Sequence, residues 1–242
     1  MNVMHAELKK HSSHFYFRAM ALAAACVAVA GFARTYYLKE LTGAASVPLL
    51  VHIHAMLFSS WILFFFVQTT LVANHRTDLH RKLGIFGVLL AVAMISEGYV
   101  AALYSVRRGF MGQFPNEPTG FVNPIAFFSL AIGDLVTFSV LIGLALWFRR
   151  RTDVHKRLMV LGTISLLGAA LPRLPFGPAR LPVAVASFVC LLAAGPVHDR
   201  KTLGRVHPVF IWGTLFVFLS AAVRPLIGNS AAWHSFASWL IR

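Results

Sequence analysis

Glu97, Asp134, Arg173 and Arg224 are charged side chains set within long apolar stretches of this chain. A lone charge is costly in such surroundings, so residues of this kind pair with one another or line a polar site. His52 and His54 open another apolar run, and Asn123 opens a third. Imidazole and carboxylate together are metal-binding chemistry. His54, Glu97 and Asp134 therefore read as a candidate metal set, and His52, His54, Glu97, Asn123, Asp134, Arg173 and Arg224 as the wider lining of a site for a small ligand. A second series of imidazoles, His80, His155 and His207, stands at the edges of apolar runs. With His54 these are the candidate ligands of a haem b. The structural alternative is an ion-pair network in the apolar runs and a set of headgroup contacts at their edges, with Asp78 and Asp153 capping the helices that follow.

The elements that must position these residues follow from composition. Of 242 residues, 58% are hydrophobic and only 12% charged, and the mean hydropathy is +0.71. A soluble domain has roughly a quarter of its residues charged, so soluble enzyme folds are excluded and an integral membrane protein is indicated. Cys26 and Cys190 each lie inside an apolar run, which points to small packed hydrophobes and neither a disulfide nor a thiolate site. No nucleotide-binding loop, nucleophile with adjacent base or zinc-protease helix is present.

Seven apolar runs reach the ~20 residues needed to span a bilayer: 15–37, 47–73, 83–105, 121–148, 158–175, 180–197 and 206–228. Lys9 and Lys10 ahead of the first run give it some likeness to a secretory signal, but it is read as a retained first span. The expected fold is an all-α bundle of one helix plus three hairpins in a single membrane domain. Of the 22 Lys and Arg side chains, fourteen fall in the connections that include Arg76, Arg151 and Arg205 and eight on the other side. The positive-inside rule then places the N-terminus in the cytoplasm and the C-terminus outside. The basic excess implies contact with anionic lipid headgroups and no nucleic-acid binding, since no basic extramembrane domain exists. Trp233, Phe236, Trp239 and Leu240 form a stripe that suits a short C-terminal helix lying in the interface.

The connections carry an internal repeat. Arg76-Thr77-Asp78-Leu79-His80-Arg81-Lys82-Leu83 returns as Arg151-Thr152-Asp153-Val154-His155-Lys156-Arg157-Leu158, displaced by 75 residues, with a weaker copy at Arg205-Val206-His207-Pro208. Counted from the three turns, Glu97, Asp134 and Arg224 each lie 19 residues away, and Arg173 lies 20. At ~1.5 Å per residue the four occupy one layer, roughly 28 Å from the turns. His52 and His54, two residues apart, point to different faces of their helix.

His52-Ile53-His54, the Asp78-to-Gly84 segment, His155-to-Met159 and Gly204-to-Pro208 together resemble a group of uncharacterised bacterial multipass inner-membrane proteins with repeated R-x-D-x-H-[RK]-[RK]-L turns. The likeness covers most of spans two to seven and implies a polytopic inner-membrane bundle without implying an activity. There is a looser similarity to haem-b membrane cytochromes, which pair histidines on adjacent helices. Retinal chemistry is excluded, because all six lysines lie in connections. The expectation is thus an inner-membrane protein with an outward-facing polar site for a small ligand or metal ion. The alternatives are a haem-b electron carrier or an accessory subunit with membrane-protein partners.

Overall fold

The computed structural model describes residues 2–42, 47–110 and 121–242, with side chains from His14 onward except those of Glu40 and Thr42. Among these residues there is no strand. Besides a single α-helical turn at Lys39–Thr42, the α-helices are α1 (Asn2–Phe32), α2 (Leu49–Ala73), α3 (Thr77–Arg107), α4 (Pro124–Trp147), α5 (Thr152–Ser165), α6 (Arg180–Leu203), α7 (Pro208–Gly228) and α8 (Ala231–Ile241). Among the described residues, seven segments are long and apolar enough to cross a membrane, from His14–Tyr37 to Pro208–Gly228, and each matches one of the expected spans. Large apolar side chains such as Leu63, Phe86, Val136, Trp212 and Leu219 cover the outside of the bundle. A soluble protein does not expose so continuous an apolar surface, whereas lipid is its natural solvent.

Local chemistry sets the helix starts. Asn123 caps α4 by accepting the Ala126 N–H at 2.8 Å, with Pro124 at the first helical position. His207 does the same for α7 through Nδ1, ahead of Pro208. α6 ends at Gly204, whose φ of 73° places it in the left-handed region that glycine enters freely. α3 and α5 begin at Thr77 and Thr152, which are equivalent in the repeat. The expected Asp caps are not there. Arg76 and Arg151 hold the cap positions without a side-chain hydrogen bond. Asp78 and Asp153 fall in the first turn, where their charge complements the helix dipole.

The two hairpins diverge further on. α3 runs unbroken to Arg107, but after Ser165 the chain continues from α5 as 3-10 turns at Leu166–Ala169 and Leu171–Arg173. Pro172 keeps the chain from resuming an α-helix beyond this point, since it offers no N–H and its ring clashes with the carbonyl four residues back, that of Gly168. The fifth span is also the central one, with 61% of its apolar stretch buried against at most 44% in any other. α1, α4, α6 and α7 all pack on α5.

Three apolar clusters fill the bundle. Tyr16, Phe17, Phe65, Leu158, Leu161 and Phe210 lie towards the turns. Trp61, Met94, Phe138, Leu167 and Leu171 form the middle, and Ala102, Val106, Phe128 and Ala237 the far end. α8 belongs to that far end. Its expected aromatic stripe divides: Trp233 and Leu240 pack inward, with the Trp233 indole donating to the Ile125 carbonyl at 2.7 Å, while Phe236 and Trp239 face out. Cys26 and Cys190 are also on the outside rather than packed. On a helix that is apolar all round, a small hydrophobe is equally at home against lipid.

Candidate functional site

The residues of the charge layer are brought to neighbouring depths. A Cβ placed on Gly98 would lie 2.7 Å from Leu135 Cδ2, so the preceding residues Glu97 and Asp134 are close in level on α3 and α4. Similarly, a Cβ on Gly133 would lie 2.5 Å from Arg224 Nε, which sets Arg224 of α7 beside Asp134. Uniform helical rise from equivalent turns accounts for this agreement.

Within the layer the groups form two separate pairs. Arg224 Nη1 donates to Asp134 Oδ1 at 2.5 Å, with side-chain exposures of 8% and 20%. Arg224 Nη2 reaches Thr137 Oγ1 at 3.2 Å and Ser220 Oγ at 3.3 Å, and those hydroxyls bond each other at 2.7 Å. This cluster ties α4 to α7, and Arg224 Nε, also buried, has no hydrogen-bond partner among the described residues. The second pair is His54 with Glu97: Nδ1 lies 2.8 Å from Oε2, and the imidazole stacks on Phe58 with ring centres 4.2 Å apart. Glu97 Oε1 is buried and has no hydrogen-bond partner among the described residues, whereas the His54 side chain is 39% exposed. A buried carboxylate oxygen without a donor is expensive unless something supplies one.

The remaining expected lining residues are elsewhere. His52 turns to the segment that follows α1, where its Nδ1 is 3.1 Å from the Tyr36 hydroxyl, so the two histidines diverge as their spacing requires. A π-helical turn at Ala33–Tyr37 aims Tyr36 at His52 and Tyr37 at Ser59. Asn123 is spent as a helix cap. Arg173, which follows the 3-10 turns, bonds to none of the other three charged residues: it donates to the Ala169 carbonyl and lies over the Phe32 ring at 5.0 Å. The metal set of His54, Glu97 and Asp134 is likewise divided, because Asp134 is held by Arg224. No three His, Cys, Asp or Glu side chains among the described residues form a metal-binding group.

At the turn end, the candidate haem ligands behave differently from one another. His207 has both nitrogens engaged, Nδ1 by the Val209 N–H and Nε2 by donation to Asp153 at 3.1 Å. It therefore has no lone pair left for iron. His80 and His155 come together, with ring centres 6.4 Å apart.

The largest polar feature of this end was not among the expected site residues. Arg157 Nε donates to Asp199 Oδ2 at 2.9 Å and Nη2 to Oδ1 at 2.7 Å, with side-chain exposures of 5% and 1%. Arg157 Nη1 also donates to the Asp153 carbonyl at 2.7 Å, and the His207 N–H donates to Asp199 at 3.1 Å. The only hint in the sequence is that Asp199 is a lone acid among the basic residues flanking the last turn.

Fold and site together define a multipass helical membrane protein with paired intramembrane charges. Comparison with known proteins adds no closer assignment: no family, curated protein or solved structure matches the chain.

Proposed function

We propose that this chain is a bacterial inner-membrane protein with a cytoplasmic N-terminus, which binds a small cationic ligand at an outward-opening site centred on His54 and Glu97. A divalent metal ion is the simplest such ligand. The observation that carries the reading is the buried, unpartnered Oε1 of Glu97 beside an imidazole that is open at the bundle surface. Asp134 and Arg224 neutralise each other and so contribute no counter-charge to Glu97. A bound cation would supply what Oε1 lacks, with His54 Nδ1 as the second donor once the ion replaces its hydrogen bond to Oε2, and water completing the shell. The 14-to-8 distribution of basic residues between the two sides supports the orientation. The matching helix starts at Thr77 and Thr152 support placing the chain with proteins that share the repeated Arg-x-Asp-x-His turn.

Calorimetric titration of the purified protein with Zn2+ tests the site. Glu97→Gln is expected to bind one equivalent fewer than the native protein. Unchanged stoichiometry in that variant would overturn the proposal.

A further inference from the structure

His80 and His155 are equivalent in the internal repeat, each the fourth residue of its helix. The structure sets them side by side at the turn end, with ring centres 6.4 Å apart and planes inclined by 70°. Each imidazole is oriented by a hydrogen bond from Nδ1. His80 Nδ1 donates to Gln68 Oε1 at 2.9 Å, and Gln68 Nε2 donates back to the His80 carbonyl at 3.4 Å, which fixes the way the amide points. His155 Nδ1 donates to the Ala145 carbonyl at 2.8 Å. Gln68 is a buried polar side chain in an apolar helix, and this pair of bonds is what its amide does there.

With the proton held on Nδ1, the neutral tautomer of each ring carries its lone pair on Nε2. Neither Nε2 makes a hydrogen bond to the described residues, so two neighbouring imidazoles each keep an unused donor nitrogen. Metal-binding histidines show this arrangement, in which an outer carbonyl or amide fixes the tautomer and raises the basicity of the other nitrogen. The separation fits as well. Two imidazoles on opposite sides of one ion, at metal–nitrogen distances of about 2.0–2.1 Å, place their ring centres roughly 6 Å apart.

We propose that His80 and His155 hold one transition-metal centre between them, each through Nε2 and on opposite sides of the metal. Two sources supply a centre that accepts imidazoles in this way: a bare Cu(I) ion and the iron of a haem. The site shares no residue with the His54–Glu97 site and lies at the other end of the bundle, so either can fail without the other.

Two measurements separate the sources. A Soret band and a pyridine haemochrome in the protein as purified identify haem; a protein without one is titrated with Cu(I) against a chromophoric chelator. One equivalent of one or the other is expected, lost in His80→Gln and in His155→Gln, and retained in His54→Gln and His207→Asn. Gln68→Leu keeps both imidazoles and removes the acceptor that orients His80, together with the amide donor to the His80 carbonyl. It should weaken binding about 10–100-fold, and it carries the test if the histidine variants do not elute as folded protein. Binding of neither haem nor Cu(I), binding that survives loss of either histidine, or native affinity in Gln68→Leu overturns the proposal.

Discussion

Arg157 and Asp199 form a two-pronged ion pair between the central fifth span and the end of the sixth, with almost no solvent access to either side chain. Through the Asp153 carbonyl and the His207 N–H the same pair joins the second copy of the turn to the third. The Arg157 guanidinium also lies over the Phe210 ring, 5.4 Å from its centre. A pair so enclosed is costly to break, because the surviving charge stays buried without its partner.

Asp199→Asn is therefore expected to destabilise the detergent-solubilised protein by about 3–5 kcal/mol. Replacing both residues by leucine removes both charges and should cost less than the single change. Reversible denaturation of the three proteins in one detergent checks this, and a double variant less stable than Asp199→Asn would contradict it.

The intramembrane layer gives a sharper prediction, because Arg224 has two acids at its depth and bonds only one. Asp134→Asn should cost about 3–5 kcal/mol, and Asp134→Leu combined with Arg224→Leu should restore part of that. Glu97→Gln combined with Arg224→Leu should show no such recovery. A double-mutant cycle for each pair measures the coupling directly, and equal coupling energies would contradict the pairing.

Gly133 makes room for the guanidinium. A Cβ there would meet Arg224 Nε at 2.5 Å, Cδ at 3.0 Å and Cζ at 3.2 Å, in a side chain already fixed by Asp134. Gly133→Ala should therefore destabilise the protein by about 1–3 kcal/mol, as overpacking does. In an Arg224→Leu background the same substitution should be better tolerated. Thermal unfolding of the four proteins decides it.

Orientation is tested independently of stability. Reporter fusions after residues 78, 153 and 203 should read cytoplasmic, and fusions after residue 230 external. The reverse pattern would invert the sidedness of the His54–Glu97 site, and the pairings within the bundle would be unaffected.

The sequence by itself determined the seven apolar spans, the matching helix starts at Thr77 and Thr152, and the neighbouring depths of Glu97, Asp134 and Arg224. These are properties of one helix at a time: apolar length fixes a span, and constant rise converts a residue count into a height. Where the α-helical rise is interrupted, as in the 3-10 turns before Arg173, a residue count no longer converts directly into a height. Partner choice was decided only by the tertiary structure. It set Asp134 with Arg224 and Glu97 with His54, enclosed Arg157 with Asp199, and turned Cys26 and Cys190 outward. The physical reason is rotation about the helix axis. A soluble helix announces its inner face by an apolar stripe, but a helix that meets lipid on one side and apolar neighbours on the other is hydrophobic all round. Which way each polar group points is then settled by small-residue contacts such as Gly98 against Leu135 and Gly133 against Arg224, which exist only once the helices have packed.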